Sequence, residues 1–213
     1  MTLGVLAAEA GTRRRVLHVG CGQKRKRHLP RPFRGADCEE VRLDINPDCD
    51  PDIVGTITDL SMVADGSIDA LFSSHNIEHL FAHEVPLALA GFARVLAPGS
   101  GIAVITCPDL QAIGKRIAEG RIEEALYNSA IGPVAPLDVL YGHRGAVARG
   151  EHYMAHRTGF TGQTLIDALH RAGFSSCTGT RHLRTLTLWV IGFRWRIDEA
   201  QRRVFRKAFF PPP

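Results

Sequence analysis

Val16-Leu17-His18-Val19-Gly20-Cys21-Gly22 is a short apolar run that passes directly into Gly-x-Gly. An apolar run of this length with no charged residue reads as a strand buried on both faces, the kind found inside a parallel sheet. The two glycines let the backbone turn sharply and come close to a ligand. That is how open α/β sheets hold nucleotide-like groups beyond the carboxyl ends of their strands. Lys24 stands where a dinucleotide loop commonly has a third glycine, and no Lys-Ser or Lys-Thr pair follows. A pyrophosphate clamp and a nucleoside triphosphate are therefore both disfavoured.

Outward from this stretch, short apolar runs alternate with helical patterns. Strands are predicted at 15–20, 40–45, 53–56, 68–73 and 101–107. The segment from Gln23 to Phe33 is basic and contains Pro30 and Pro32, so a helix there has to be short or broken. His83 to Leu96 is an amphipathic helix with Ala97-Pro98-Gly99 as its stop. Helical pattern resumes after Pro108 through Leu126, then gives way to an inserted loop over 132–157, the kind of long segment that serves as a lid or binding loop. Thr161 to Ala172 is a helix, Phe174–His182 and Thr185–Trp195 form an antiparallel edge hairpin, and Asp198 to Phe210 is a basic helix. The predicted fold class is α/β, a doubly wound, mostly parallel Rossmann-like sheet with helices on both faces. One domain over 1–213 is expected, its core at about 15–195 and a basic N-terminal arm at 1–14.

Composition is that of an ordinary globular protein, with 45% hydrophobic and 23% charged residues among 213. No apolar run approaches the roughly 20 residues of a membrane span. The apolar start of the chain lacks the basic n-region of a secretory signal, so the cytoplasm is the expected compartment. Five cysteines with no CxxC pair predict neither a disulfide framework nor a cysteine zinc site. Charge is uneven: residues 1–36 carry nine Lys/Arg against one acid, and 194–213 carry six against two. Basic ends on an acidic body point to an acceptor that carries negative charge, or else to solvated surface.

Two acids follow the glycine loop at the right distances. Asp44 ends the second strand in EVRLDIN, where its carboxylate can accept hydrogen bonds from both ribose hydroxyls. Asp59 follows the third strand in TITDLS, within reach of an adenine amino group. The three features together specify an adenosine far better than any one of them.

With these residues in view, the chain resembles the class I S-adenosylmethionine-dependent methyltransferases, and within them the type 11 group, which is mostly bacterial. The resemblance is carried by VLHVGCG (16–22), VRLDINP (41–47), TDL (58–60), SIDALFSSHNIEHL (67–80), FARVLAPGSGIAVITCPD (92–109) and MAHRTGFTGQTLIDALHRAGF (154–174), and spans about residues 15 to 190. It implies a seven-strand sheet with a reversed last strand, S-adenosyl-L-methionine as cofactor, and methyl transfer. The cofactor set it implies is His18, Gly20, Cys21, Gly22, Asp44, Ile45, Asp59, Leu60, Ser74 and His75. His18 stands where the family's first motif commonly has an acid, and the basic segment 23–34 replaces the usual first helix. No Asn-Pro-Pro-Tyr segment is present, which favours oxygen acceptors or small molecules over amide and base nitrogens.

The second chemical feature is His75-Asn76-Ile77-Glu78-His79. Its pattern, H-x-x-E-H, is also a zinc protease signature, but that chemistry needs the whole motif inside a helix. Here the strand SIDALFSS leads straight into it. In the methyltransferase frame, His79 is the expected general base and Glu78 its orienting partner. Seven of the ten histidines fall at 75–83 and 143–170. Asp109, Tyr141, His143, His152 and His156 are the expected acceptor-binding residues. No metal is required by this reading; a site of Glu78, His79 and His156 is the alternative to it. The expected function is O-methylation of a small-molecule or glycan-type acceptor. The alternatives are methylation of RNA, favoured by the basic segment but unsupported by any RNA-binding module, and a non-catalytic cofactor-binding protein of the same fold. The C-terminal helix, with Phe205, Phe209 and Phe210, is expected to pack on its own sheet rather than on a membrane or on the second subunit of a homodimer.

Overall fold

The structure, a computed structural model, describes residues 13–24, 29–129 and 132–212. The basic arm up to residue 12 and the centre of the basic segment, 25–28, lie outside the described residues. In chain order the strands are β1 (Arg14–Val19), β2 (Cys38–Asp44), β3 (Ile53–Val54), β4 (Ala70–Ser74), β5 (Ile102–Pro108), β6 (Tyr127–Ser129), β7 (Gly132–Val134), β8 (Ser176–His182) and β9 (Thr187–Phe193). The α-helices are α1 (Val85–Val95), α2 (Leu110–Ala118), α3 (Pro136–Tyr141), α4 (Arg144–Ala148), α5 (Gly162–Arg171) and α6 (Glu199–Phe209).

Seven strands form one sheet in the order β3-β2-β1-β4-β5-β9-β8, and β6 pairs with β7 separately. β1 to β5 pair in parallel, whereas β9 runs antiparallel to both β5 and β8. The expected hairpin is therefore present, with its second strand inserted next to β5 and its first at the edge. Every residue of β5 is buried, the signature of a strand covered on both faces. Leu17, Val19, Leu71 and Ile105 point to one face, where Leu89 and Phe92 of α1 and Leu165 and Leu169 of α5 cover them. Val16, Phe72, Val104 and Phe193 point to the other, where Phe205 and Phe209 of α6 pack. Each of those phenylalanines is worth about 2–3 kcal/mol of burial.

That second face shows what replaces the usual first helix. Pro30 and Pro32 limit the described part of the segment to a single 3-10 turn, Arg31–Phe33. Phe33 meets Phe209 with ring centroids 5.0 Å apart. Arg202 and Arg206 then fasten α6 to the edge strand through the carbonyls of Cys177 and Gly179. The helix's phenylalanines are thus used inside its own fold.

Two expectations need correction. The helix predicted through Leu126 ends at Ala118, because Gly120 takes a left-handed φ of 75° and turns the chain away. The expected loop 132–157 is largely structured: it holds β7, α3, α4 and a 3-10 turn, His152–Met154. Pro136 opens α3 at its first turn, where a missing N–H costs nothing. The side chain of His143 accepts from Ala146 N at 3.2 Å and caps α4. Val134 and Val139 pack on Ile113 of α2, giving the insertion a small core of its own.

Candidate active site

The order of strands reverses between β1 and β4, and a crevice at the carboxyl ends of strands is expected at such a point. A cleft of about 470 Å³ lies there, lined by residues that follow β1, β2, β3 and β4 and by the insertion.

Its first wall is the glycine loop. Gly20 and Gly22 have φ of 60° and 56°, conformations that side chains rarely adopt. A Cβ on Gly20 would meet Asn76 Nδ2 at 2.3 Å, so the loop after β1 and the turn after β4 come together only because position 20 has no side chain. Asp44, at the end of β2, is 8% exposed. Its two oxygens accept from Gly22 N at 2.7 Å and from Asn46 N at 2.9 Å, and each keeps a second lone pair. The carboxylate is thereby fixed in direction before any ligand arrives. Ile45, 60% exposed on the same wall, supplies an apolar surface beside it.

One residue that holds these parts together escaped the sequence reading. Arg42 is 3% exposed and donates through Nη2 to the carbonyls of Gly22, at 2.6 Å, and Cys49, at 3.0 Å, and through Nη1 to that of Asp50. Its backbone N–H donates to Asp52 Oδ2 at 2.8 Å. A buried guanidinium therefore ties the glycine loop to the turn after β2. Nothing in sequence separates such an arginine from a surface one; its place among apolar residues in VRLD is the only signal.

The opposite wall begins at His75, which leaves β4 with a left-handed φ of 50°, and continues through the 3-10 turn Ile77–His79. Because the motif bends at His75 and is no α-helix, its two histidines do not share one helical face. The metalloprotease arrangement is therefore absent. His79 Nδ1 lies 3.2 Å from the carbonyl of Ala155 and so carries its proton, which leaves Nε2 as the free lone pair of the neutral ring. The orienting partner of His79 is this carbonyl rather than Glu78. Glu78 is 1% exposed, with His75 Nδ1 3.2 Å from its Oε1. Burial works to raise its carboxyl, and the neighbouring His75 outweighs it, so the group sits below the ordinary carboxylate range.

The insertion completes the cleft. Arg157 N and Thr158 N both donate to the carbonyl of Glu78, at 2.9 and 3.2 Å, and the Arg157 guanidinium lies 4.6 Å from the Phe81 ring centre. Gly142 allows this return: a Cβ there would stand 2.2 Å from the Met154 carbonyl oxygen. His156 is thereby brought edge-on to His79, ring centres 4.9 Å apart, with its Nδ1 2.7 Å from the Val139 carbonyl. Burial pushes the His156 imidazole below its ordinary value.

Of the expected cofactor set, Gly20, Gly22, Asp44, Ile45 and His75 line the cleft, as does His79 of the catalytic pair. His18 does not. Its ring is buried, with Nδ1 2.8 Å from Glu40 Oε1 and its face toward Phe72, so it serves packing between β1, β2 and β4. Cys21 turns into the core, where burial pushes its thiol up to about 11. Asp59 is exposed and accepts from Ser61 N at 2.9 Å, while Leu60 is buried beneath; Gly55, Thr56 and Ile57 line the cleft in their place. The Ser74 hydroxyl bonds Thr106 at 2.9 Å. Asp109, expected at the acceptor, is fully buried, caps α2 through Gln111 N at 3.1 Å and pairs with Arg181. Tyr141 is exposed away from the lining, His143 caps α4, and His152 is exposed outside the cleft. The insertion instead presents Glu151, Tyr153, Met154 and Arg157.

Residues 17–104 match a family model described as a methyltransferase domain. Over these residues the chain carries a methyltransferase domain. Its cofactor is S-adenosylmethionine, and the preset Asp44 carboxylate and open glycine loop fit an adenosine-bearing ligand. The methyltransferase is similar to a SAM-dependent methyltransferase from Archaeoglobus fulgidus at 17% identity and a TM-score of 0.53, with 84% of this chain and 86% of that one covered. It is similar to a SAM-dependent methyltransferase from Methanosarcina mazei at 14% identity and a TM-score of 0.54, covering 85% and 92%. A third similar structure is the 1,6-didemethyltoxoflavin-N1-methyltransferase of Burkholderia thailandensis, with bound S-adenosylhomocysteine. It shares 15% identity at a TM-score of 0.53, covering 89% and 73%. These likenesses concern the fold. No curated protein sequence matches the chain.

Proposed function

We propose that the methyltransferase transfers a methyl group to a hydroxyl of a small-molecule or glycan-type acceptor, with His79 as the residue that activates this hydroxyl. The observation that carries the reading is the placement of His79. Its Nδ1 is committed to the Ala155 carbonyl, and the ring lines the same cleft as Gly20 and Asp44. S-adenosylmethionine, when bound, supplies an already activated methyl on a sulfonium, so the protein has mainly to align and to exclude water. Asp44 and the glycine loop hold and orient the adenosine end. His79, across the cleft, accepts the hydroxyl proton through Nε2, a task suited to a neutral imidazole. Tyr153, Met154 and Arg157 of the insertion cover the acceptor side and keep solvent out, and Arg157 offers a positive charge to an anionic acceptor.

The test is a pair of variants assayed for S-adenosylhomocysteine binding and for turnover of hydroxyl acceptors. His79→Ala is expected to bind the product within about twofold of the parent chain and to lose at least about 100-fold in kcat, the span general base catalysis provides. Loss of product binding in His79→Ala would place His79 with the cofactor, contrary to the assignment.

A further inference from the structure

Three donor groups converge behind the acceptor wall. One ligand atom each from Glu78, His79 and His156 lies within 4.8 Å of the others. Glu78 is 1% exposed, and neither of its carboxylate oxygens has a hydrogen-bond partner. An ionised carboxylate in that condition costs several kcal/mol unless a positive charge faces it. His75 Nδ1 lies 3.2 Å from Oε1, at ion-pair distance, on a side chain 46% exposed to water, and it leaves Oε2 without a partner. The two histidines show the complementary feature. Each commits its Nδ1 proton to a backbone carbonyl, Ala155 for His79 and Val139 for His156, which leaves both Nε2 lone pairs unused. Proteins fix ligating imidazoles in this way, by tying the other ring nitrogen to a carbonyl.

We infer that Glu78, His79 and His156 form a binding site for one divalent transition-metal ion. Two imidazole nitrogens with one carboxylate suit zinc, iron(II) or cobalt(II), whereas magnesium and calcium prefer shells of oxygen. Three protein ligands leave coordination positions open, and one of the three, His79, lines the cleft. The inference goes beyond the reading of His79 as a free base: with an ion bound, His79 Nε2 is a ligand, and the ion takes over the task of binding and polarising the acceptor oxygen.

The test is a titration of cobalt(II) into the purified, metal-stripped full chain, followed by visible absorption and equilibrium dialysis, with S-adenosylhomocysteine binding measured in parallel. One cobalt per chain, displaced by zinc, is expected. Glu78→Gln and His156→Asn should each weaken cobalt binding by about 100-fold or more, while product affinity stays within about threefold. Circular dichroism checks folding, and if Glu78→Gln fails to fold, His156→Asn decides alone. No stoichiometric cobalt, or cobalt binding undiminished by the variants, overturns the site. Absence of product binding to the parent chain counts instead against the cofactor cleft, and the cobalt result still decides the metal.

Discussion

Gly20, Asp44 and Arg42 build the glycine-loop side of the cleft, and they differ in how openly the sequence announces them. Gly20 and Asp44 stand at the ends of apolar runs in successive strands, a pattern visible in the sequence, and both line the cleft. Arg42 is invisible because its role depends on three carbonyls that meet only in the folded chain. Asp59 and Asp109 lie outside the lining: Asp59, beyond the end of β3, closes a local turn and Asp109, just after β5, caps α2, ordinary uses of aspartate. Substituting Gly20→Ala forces a side chain into Asn76 and into a left-handed backbone. We expect a stability loss of about 1–3 kcal/mol, together with loss of S-adenosylhomocysteine binding by calorimetry. Arg42→Met should cost about 3 kcal/mol, because hydrogen bonds from a charged donor to buried carbonyls are lost. Product affinity should fall with it. A variant that unfolds earlier but binds product as well as the parent would show that Arg42 does not hold the loop.

Among the elements, the seven strands of the sheet and helices α1, α5 and α6 were legible, because each carries a run or period of apolar residues that burial rewards. The insertion was not. Its helices α3 and α4 have six and five residues, too short to show a period, and its core consists of a few side chains on α2 and β7. What holds it is polar. Asp138, 5% exposed, accepts from Ala135 N at 2.9 Å, from Arg144 N at 3.2 Å and from the Arg144 guanidinium at 2.9 Å. Burial opposes its ionisation, but these donors outweigh it and hold the carboxyl below its ordinary 3.8. A carboxyl lowered on folding contributes stability that is complete above its unfolded value and is lost as pH falls through the folded one. Asp138→Asn should therefore cost about 2 kcal/mol at neutral pH. The gap between parent and variant in thermal unfolding should close below about pH 4. A gap that stays constant into that acid range would mean the carboxylate charge contributes nothing.

For the whole molecule, loops at the strand ends of the sheet set one wall of the cleft and the insertion contributes to the other. Phe33 and α6 close the face that a first helix would otherwise cover. Among the described residues no helix is long and apolar enough to cross a membrane. If the acceptor is a small molecule, turnover should change little with salt. An RNA acceptor would make binding fall steeply as lysines and arginines release counterions, which a titration from about 50 to 200 mM salt would reveal. In the proposed arrangement one cleft, built on Gly20 and Asp44, takes the cofactor, with His79 across from it. Thermal unfolding with S-adenosylhomocysteine tests this most directly. At about one hundred times its dissociation constant the product should add about 2.7 kcal/mol, or roughly 5–10 °C for a chain of this size. That shift should disappear in Asp44→Ala and persist in His79→Ala. No shift in the parent chain at millimolar product, or an undiminished shift in Asp44→Ala, would contradict it.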